Sequence, residues 1–293
     1  MSHRSGFVNI IGSPNVGKST LMNALVGARL SIITSKAQTT RHRIFGIVNG
    51  EDYQIVYSDT PGIVRPAYAL HEEMLGYIKT ALKDADILLF VTDMAEDDSR
   101  HQAILPTIQN MDTPVIVILN KVDTQNQEAA VGRMAYWKER IPQAEIIPVS
   151  ALHRFNLERV LGAIQENLPE GPPFFDKEQL TDRPMRFFIS EMVREKIFLY
   201  YEKEIPYCTE VVVEEYKEED DIVRIRCIIY VERDSQKNII IGKKGSALRR
   251  VGSSARKDIE RFIERKVFLD LFVKVDKDWR SKKQRLKYYG YRE

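Results

Sequence analysis

The chain has 293 residues, of which 43% are hydrophobic and 29% are charged, so it is long enough for two globular domains and its composition excludes a disordered or membrane-embedded protein. The longest apolar runs fall well short of the roughly 20 residues that a bilayer-spanning helix needs. The net charge of +2 is unevenly distributed, because residues 237–287 contain 17 Lys or Arg against 6 Asp or Glu. That segment carries +11 and the remainder −9, which predicts that one end of the protein meets a polyanion.

The beginning of the chain predicts a cytoplasmic protein. A strand-like run at residues 7–11 follows the first few polar residues, without the apolar segment and cleavage site of a signal peptide. The two cysteines, Cys208 and Cys227, each lie in a β-branched run. We therefore expect reduced thiols in a core or sheet rather than a disulfide or metal site.

Residues 1–170 alternate short β-branched runs with longer helical stretches, which predicts an α/β domain with a mostly parallel sheet and helices on both faces. The strands of this domain are predicted at residues 8–11, 44–48, 54–58, 87–92, 115–119 and 146–149. A proline-rich break at residues 169–173 ends the helical periodicity and predicts a linker over residues 171–184. Residues 185–293 then follow the order helix, strand, strand, short helix, helix, strand, which predicts a small α+β domain with a basic, aromatic tail.

A phosphate-binding loop is predicted directly after the first strand. The motif G-x-x-x-x-G-K-[ST] is matched by Gly12, Ser13, Pro14, Asn15, Val16, Gly17, Lys18 and Ser19, and Thr20 follows within the next helix. Glycines let backbone N–H groups wrap phosphates, and the helix N-terminus favours the anion. Lys18 is placed to reach the β- and γ-phosphates and the Ser19 hydroxyl to bind Mg²⁺. The alternative, a plain glycine-rich turn entering a helix, does not explain the Lys-Ser pair.

A guanine-reading loop is predicted after the strand at residues 115–119. The Asp123 carboxylate can accept the two N–H donors on one edge of guanine, a pattern that adenine lacks. Asn120 is expected to tie this loop to the phosphate-binding loop, and the Lys121 stem to cover one face of the base. Ser150 and Ala151 end the last strand and are weaker candidates for contacting guanine through backbone N–H groups.

Two further loops are predicted to respond to the nucleotide. Asp59 ends a strand where a carboxylate that reaches Mg²⁺ through water belongs, and Gly62 is a candidate γ-phosphate sensor. Upstream, Thr40 is the candidate Mg²⁺ ligand, with Thr39 as the alternative and a basic, solvated loop as the bland interpretation. Ile63 occupies the place where many GTPases have a glutamine that orients the attacking water, so we expect slow intrinsic hydrolysis. The catalytic candidates are therefore Lys18, Thr40 and Gly62.

A nucleic-acid clamp is predicted within the basic segment. A G-x-x-G loop between a short apolar helix and a longer one is the arrangement of a KH domain, which holds about four single-stranded nucleotides. The candidate RNA-binding residues are Ile241, Gly242, Lys243, Lys244, Gly245, Ser246 and Arg249. The tail interleaves Trp279, Tyr288, Tyr289 and Tyr291 with basic residues, which fits either stacking on unpaired bases or docking of the tail onto its own domain.

With these motifs in hand, G-S-P-N-V-G-K-S, Q-T-T-R-H-R, D-T-P-G, N-K-V-D and I-I-I-G-K-K-G, the chain resembles the Era family of bacterial GTPases over essentially its full length. The resemblance implies a P-loop GTPase domain followed by a type II KH domain, with GTP or GDP and Mg²⁺ bound. It also implies an assembly factor of the small (30S) ribosomal subunit that binds the 3′ end of 16S ribosomal RNA and the 30S precursor. Peripheral association with the inner face of the plasma membrane is attributed to some members. Ile63 fits the family, whereas Arg154 stands where the family has glycine.

The leading hypothesis is a GTP-controlled switch, expected to be a monomer, whose nucleotide loops change how the KH domain is presented to RNA. The alternative is an adaptor whose basic domain binds anionic membrane or a protein, although the G-x-x-G loop favours RNA over lipid. An RNA-modifying enzyme is disfavoured because the sequence offers no second catalytic constellation.

Overall fold

The computed structural model describes residues 3–95 and 98–291, so the outermost ends of the two predicted domains, residues 1–2 and 292–293, lie outside the described residues. The chain divides into two compact units. The first comprises Met1–Pro66 and Met74–Asp182, and the second comprises Ala67–Glu73 and Arg183–Glu293. Over the described ranges, no helix is long and apolar enough to cross a bilayer.

The first unit is built on a mostly parallel sheet, as the sequence predicts. Over the described residues its order is β2-β3-β1-β4-β5-β6, with β2 antiparallel to β3 and the other pairings parallel. The strands are β1 (Arg4–Gly12), β2 (Ile44–Asn49), β3 (Tyr53–Asp59), β4 (Ile87–Asp93), β5 (Val115–Asn120) and β6 (Glu145–Pro148). The helices are α1 (Lys18–Val26), α2 (Ala69–Lys83), α3 (Leu105–Gln109), α4 (Gln127–Arg140) and α5 (Leu157–Asn167).

The central strands of this sheet explain the position of the nucleotide motifs. Ile10, Phe90 and Val117 are completely buried, as expected for parallel strands that are covered on both faces. Parallel pairing sets Ile10 opposite Asp59 and Asp93 opposite Asn120, so β1, β3, β4 and β5 end at the same edge. In open α/β sheets that edge is where ligands bind.

The predicted linker at residues 171–184 is largely part of the first unit. The backbone N–H groups of Phe174 and Phe175 donate to the buried Gln54 Oε1 at 2.7 and 3.0 Å, and Ile47 N donates to the Leu180 carbonyl at 2.8 Å. A buried amide side chain and the edge of β2 both need partners, and this segment supplies them. The segment predicted as a linker is therefore docked on the first unit as far as Asp182, and the second unit resumes at Arg183.

The second unit contains the predicted KH order with two additional short helices. Its elements are α6 (Met185–Tyr200), α7 (Ile205–Cys208), β7 (Glu210–Glu218), β8 (Val223–Val231), α8 (Asp234–Ile241), α9 (Ser246–Ile263), β9 (Val267–Val275) and α10 (Lys283–Tyr288). β7 pairs with β8 antiparallel and β8 with β9 parallel. α9 buries Val251, Ala255 and Ile259 at four-residue spacing in the core of this unit. Cys208 and Cys227 are buried thiols outside any disulfide, as expected, and burial raises the pKa of Cys227 to about 12.

The aromatic tail docks onto its own domain. Trp279 and Tyr291 are at most 1% exposed, and the Trp279 Nε1–H donates to the Cys208 carbonyl at 2.9 Å. The hydroxyl of Tyr291 donates to the buried Glu210 carboxylate. Of the two interpretations that the interleaved aromatics allow, base stacking therefore does not apply to these rings. Tyr288, which is 59% exposed, is the exception among the tail aromatics.

We expect Trp279→Ala to lower the free energy of unfolding of the second unit by about 3–5 kcal/mol, because the buried indole leaves a cavity and an unpaired carbonyl. Tyr288→Ala should change it by less than about 0.5 kcal/mol, since that ring is exposed. Hydrogen exchange of the β8 amides in the full chain measures this unit alone. Equal losses in the two variants would contradict the docked tail.

Candidate functional site

The loop between β1 and α1 has a backbone that only glycine can adopt at two positions. Gly12 has φ 153° and Gly17 has φ 98°. A Cβ atom on Gly12 would lie 2.1 Å from the Val91 carbonyl oxygen, and one on Gly17 would lie 2.2 Å from Asn120 Nδ2. Both contacts are far below van der Waals distance, so the glycines of the motif allow the loop to curl tightly against β4 and β5.

The predicted phosphate-binding lysine lies within the curl of this loop. Lys18 Nζ is 3.0 Å from the Gly12 carbonyl oxygen and 2.8 Å from that of Ser13, and the residue is 6% exposed. The Ser13 hydroxyl is buried without a hydrogen-bond partner among the described residues. An adjacent cavity of about 360 Å³ has space for a phosphate chain. Of the predicted residues, its wall includes Pro14, Asn15, Gly17, Lys18, Ser19, Thr20, Thr40, Gly62 and Lys121.

A hydroxyl and carboxylate cluster lies beside the loop. Ser19 Oγ donates to Asp59 Oδ2 at 2.7 Å and lies 2.9 Å from Thr40 Oγ1, which is itself 3.4 Å from the same carboxylate oxygen. Thr39 is used elsewhere, since its hydroxyl bonds to the Thr34 hydroxyl and the Lys36 carbonyl. Thr39 and Thr40 are both only 8% exposed, which contradicts the solvated-loop interpretation.

The Asp59 carboxylate is fully buried, and of its two oxygen atoms Oδ2 is the one that contacts the Ser19 and Thr40 hydroxyl groups. Burial raises its pKa, while the hydrogen bond from Ser19 and the charge of Lys18 act in the opposite direction. Its Oδ1 atom is buried with no hydrogen-bond partner in the described part of the chain. Mg²⁺ prefers hard oxygen ligands of this kind, so Ser19, Thr40 and Asp59 fit the ion.

The loop after Asp59 approaches the phosphate-binding loop closely. A Cβ atom on Gly62 would lie 2.8–2.9 Å from atoms of Pro14, so a side chain there would push the two loops apart. The N–H of Ile63 donates to the Gly12 carbonyl at 3.3 Å, and its side chain packs against the hydrophobic core of the first unit. Ile63 therefore presents no polar side-chain atom to the cavity.

Asn120 joins the two nucleotide loops, as expected. Its Nδ2 donates to the Val16 carbonyl at 2.8 Å and its Oδ1 accepts from Ala151 N at 3.0 Å. Lys121 adds a connection that was not predicted, because its Nζ donates to the Asn15 carbonyl and to Asp93 Oδ2, both at 2.6 Å. A left-handed backbone at Lys121, with φ 61°, turns the chain here.

Asp123 and the loop at residues 150–156 lie outside the cavity wall. The Asp123 carboxylate is partly exposed and 3.7 Å from His153 Nε2. The N–H of Ser150 donates to the Phe155 carbonyl at 3.3 Å and that of Ala151 to Asn120, so both predicted guanine donors have partners inside the protein. Their guanine contact stays a prediction. Arg154 has φ 56°, the conformation for which glycine is favoured, and its guanidinium donates to the Ala24 carbonyl.

We expect Asn120→Ala to weaken GTP binding by at least about tenfold, because the buried Val16 carbonyl and Ala151 N–H would each lose a partner. The matched control is Asn126→Ala, which removes the side-chain cap of α4 and costs about 1 kcal/mol of stability without touching either loop. Titration with a fluorescent GTP analogue measures both. Similar affinities in the two variants would show that Asn120 does not organise the site.

In the second unit, the predicted clamp forms the turn between α8 and α9. Gly242 and Gly245 have φ 70° and 76°, and Lys244 between them has φ 51°. A Cβ atom on Gly242 would lie 2.6 Å from the Ala247 Cβ, whereas one on Gly245 would meet open space. Gly242 is thus required by packing. Gly245, with no side chain, leaves the loop open to the close approach of a nucleic-acid backbone.

The basic side chains of this region fall into two groups. Those of Lys243, Lys244 and Arg249 form no ion pair among the described residues. Arg256 and Arg261 on the same helix pair with Glu260 and Asp258, at 3.3 and 3.2 Å. The unpaired charges gather at the G-x-x-G turn and the start of α9, where an anion can reach them.

A groove of about 300 Å³ between α9 and β9 continues from this turn. It is lined by Gly245, Leu248, Arg249, Gly252, Ser253, Arg256, Leu269 and Leu271. Of this set, the sequence predicted Gly245 and Arg249 as RNA-binding residues and Arg256 only as part of the positive surface of the helix. The sequence did contain one signal for the groove, a glycine (Gly252) inside a helical pattern. The structure explains this glycine, because a Cβ atom there would lie 3.3 Å from the Leu271 side chain and narrow the groove.

Comparison with known proteins assigns a family to each of the two units. The family model "50S ribosome-binding GTPase" matches residues 7–121, and the model "KH domain" matches residues 204–280. The GTPase Era of Geotalea daltonii is 44% identical over 289 residues, which cover 98% of this chain and 97% of that one.

Two solved structures superpose on nearly the whole chain. A crystal structure of a point variant of Aquifex aeolicus Era bound to GDP·AlF4⁻ gives a TM-score of 0.95 at 37% identity, covering 99% of this chain and 100% of that one. A crystal structure of Era in complex with MgGDPNP and nucleotides 1506–1542 of 16S ribosomal RNA gives a TM-score of 0.93 at 37% identity, with the same coverage.

Proposed function

This chain belongs to the family of Era GTPases, and from that premise we propose that it is a nucleotide-controlled switch that binds small-subunit ribosomal RNA through its KH domain and assists 30S assembly. The observation that carries the switch is the meeting of Thr40 and Asp59, from two separate loops, at the Ser19 hydroxyl. Each of these loops can thereby sense the nucleotide.

Within the first unit we assign Mg²⁺ to Ser19 and Thr40, with Asp59 holding a water on the ion. When bound, Mg²⁺ neutralises developing charge on the β- and γ-phosphate oxygens. Lys18 would exchange its two carbonyl contacts for phosphate oxygens, and the loop N–H groups from Gly12 to Thr20 would hold the remaining oxygens. Asp123 would select guanine by accepting its two N–H donors, while Asn120 and Lys121 keep this loop against the phosphate-binding loop.

Because Ile63 presents no hydrogen-bonding side chain, the attacking water depends on backbone, on the phosphate itself, on the Thr39–Arg43 loop or on a partner. We expect a single-turnover rate of GTP hydrolysis on the order of 10⁻⁴ to 10⁻² s⁻¹ for the isolated protein. Quench-flow or slow sampling with radiolabelled GTP measures it, and Lys18→Ala corrects for contaminating activity. A rate far above 1 s⁻¹ would mean that another group orients the water.

The RNA proposal is supported by the relative that is bound to 16S ribosomal RNA and by the accessible turn at residues 242–245 with its unpaired lysines. The groove beside α9 would hold single-stranded bases, and the turn would clamp their phosphates. A cytoplasmic location, a monomeric state and peripheral association with membrane remain predictions from the sequence.

We expect Gly245→Asp to weaken binding of a single-stranded 16S 3′-end RNA by at least about tenfold, because a carboxylate would face the phosphates. Gly290→Asp is the matched control, since that glycine also has a left-handed backbone and open space around it but lies in the tail. Gel shifts at several salt concentrations measure both affinities, and wild-type affinity must fall as salt rises. Unchanged RNA affinity in Gly245→Asp, or binding of anionic vesicles in place of RNA, would favour the adaptor alternative.

A further inference from the structure

A second cavity lies in the KH unit on the other side of α9 from the groove. It measures about 360 Å³ and is formed where α6 ends and α9 begins. Its lining consists of Tyr200, Tyr201, Ser246, Ala247 and Arg250. Since Ser246 directly follows the Gly242–Gly245 turn, the cavity lies next to the predicted clamp.

The hydroxyl groups of the two tyrosines both have hydrogen-bond partners within the unit. Tyr200 Oη donates to Ser254 Oγ at 2.9 Å, and Tyr201 Oη donates to the Ile240 carbonyl at 2.7 Å. Burial raises the pKa of Tyr201 to about 12, with the charge of Arg250 acting in the opposite direction, so its hydroxyl stays protonated at neutral pH. Both rings are therefore held in place by hydrogen bonds made away from a ligand.

Arg250 is an exposed cation that is already oriented. Its guanidinium carbon lies 4.2 Å from the centroid of the Tyr200 ring, and it forms no ion pair with an acid among the described residues. An isolated surface arginine loses conformational entropy when it binds a ligand. Because Arg250 is already held by stacking on a ring, it has less entropy to lose on binding. The site thus combines an ordered guanidinium, aromatic walls, the Ala247 methyl group and the Ser246 hydroxyl.

From this chemistry we propose that the cavity binds one unpaired nucleobase of the same RNA strand, stacked on the Arg250 guanidinium that lies over the Tyr200 ring, in addition to the nucleotides that the clamp and groove hold. The inference rests on the proposed RNA function. Unpaired bases in RNA are recognised by stacking on aromatic rings and on guanidinium planes, and this cavity offers both. An isolated phosphate would need the charge but not the aromatic walls, and a lipid surface would favour a continuous basic helix without this pocket.

The test combines RNA and protein changes in the full chain. Single abasic nucleotides are placed along a single-stranded 16S 3′-end RNA, and affinity is measured for the wild type, Arg250→Ala, Arg250→Lys and Tyr200→Phe. We expect one position outside the clamped nucleotides where loss of the base costs the wild type about 5- to 100-fold. That cost should vanish in Arg250→Ala and largely vanish in Arg250→Lys, which keeps the charge but not the planar group. Tyr200→Phe, which keeps the ring, should retain it.

Controls separate the possible failures. Lys257→Gln removes an exposed charge from the same helix and should leave the abasic pattern unchanged. If Arg250→Lys bound RNA with wild-type affinity at every salt concentration, Arg250 would act only through its positive charge, and the nucleobase site would be overturned. An abasic cost that persists in Arg250→Ala would also overturn it, since the base would then bind elsewhere. Unchanged RNA affinity in Gly245→Asp would instead reject the RNA function itself, and the two failures are therefore distinguishable.

Discussion

The nucleotide site depends on one buried side chain, the amide of Asn120. It donates to the phosphate-binding loop at Val16 and accepts from Ala151, so three segments that are distant in sequence share one polar contact point. The same amide lies so close to Gly17 that no Cβ could fit between them. Gly17 of the first motif and Asn120 of the second are therefore required together, because the Asn120 side chain fits here only if residue 17 has no Cβ atom. The sequence motifs contain both residues but do not show that they are in contact.

Much of the site could be predicted because its motifs describe local backbone requirements. Gly12 and Gly17 adopt positive φ values that other residues avoid, and their spacing follows from a strand, a turn and a helix in succession. The additional tie made by Lys121 to Asp93 could not be predicted in this way, since it depends on the pairing of β4 with β5. The docking of residues 174–182 could not be predicted either, because the partner of Phe174, Gln54, lies 120 residues earlier in the chain.

In the KH unit, composition indicated the partner but not the roles of individual residues. A charge of +11 over residues 237–287 says nothing about which cations are neutralised locally. The structure divides them, because Arg256 and Arg261 pair with acids on their own helix while the lysines of the G-x-x-G turn do not. The tail shows the same limit. Alternation of Trp279 and tyrosines with basic residues resembles a stacking surface, yet long-range contacts with Cys208 and Glu210 bury Trp279 and Tyr291.

The anchors of the loop that carries Thr40 limit how much of it a nucleotide can move. At its beginning, the loop is anchored by the Asn23 side chain. This amide accepts hydrogen bonds from the Leu30 and Ser31 N–H groups and donates one to the Ser31 carbonyl. At the other end of the loop, Arg43 is buried and forms a bidentate salt bridge with Asp84. The Arg43 side chain is buried whereas that of Asp84 is 43% exposed, so breaking this pair would leave a buried guanidinium without its acid and would cost more than the loss of a fully exposed ion pair. Between these two anchors, residues 32–42 are the part of the loop in which Thr40 would be able to leave Ser19 without breaking either anchor.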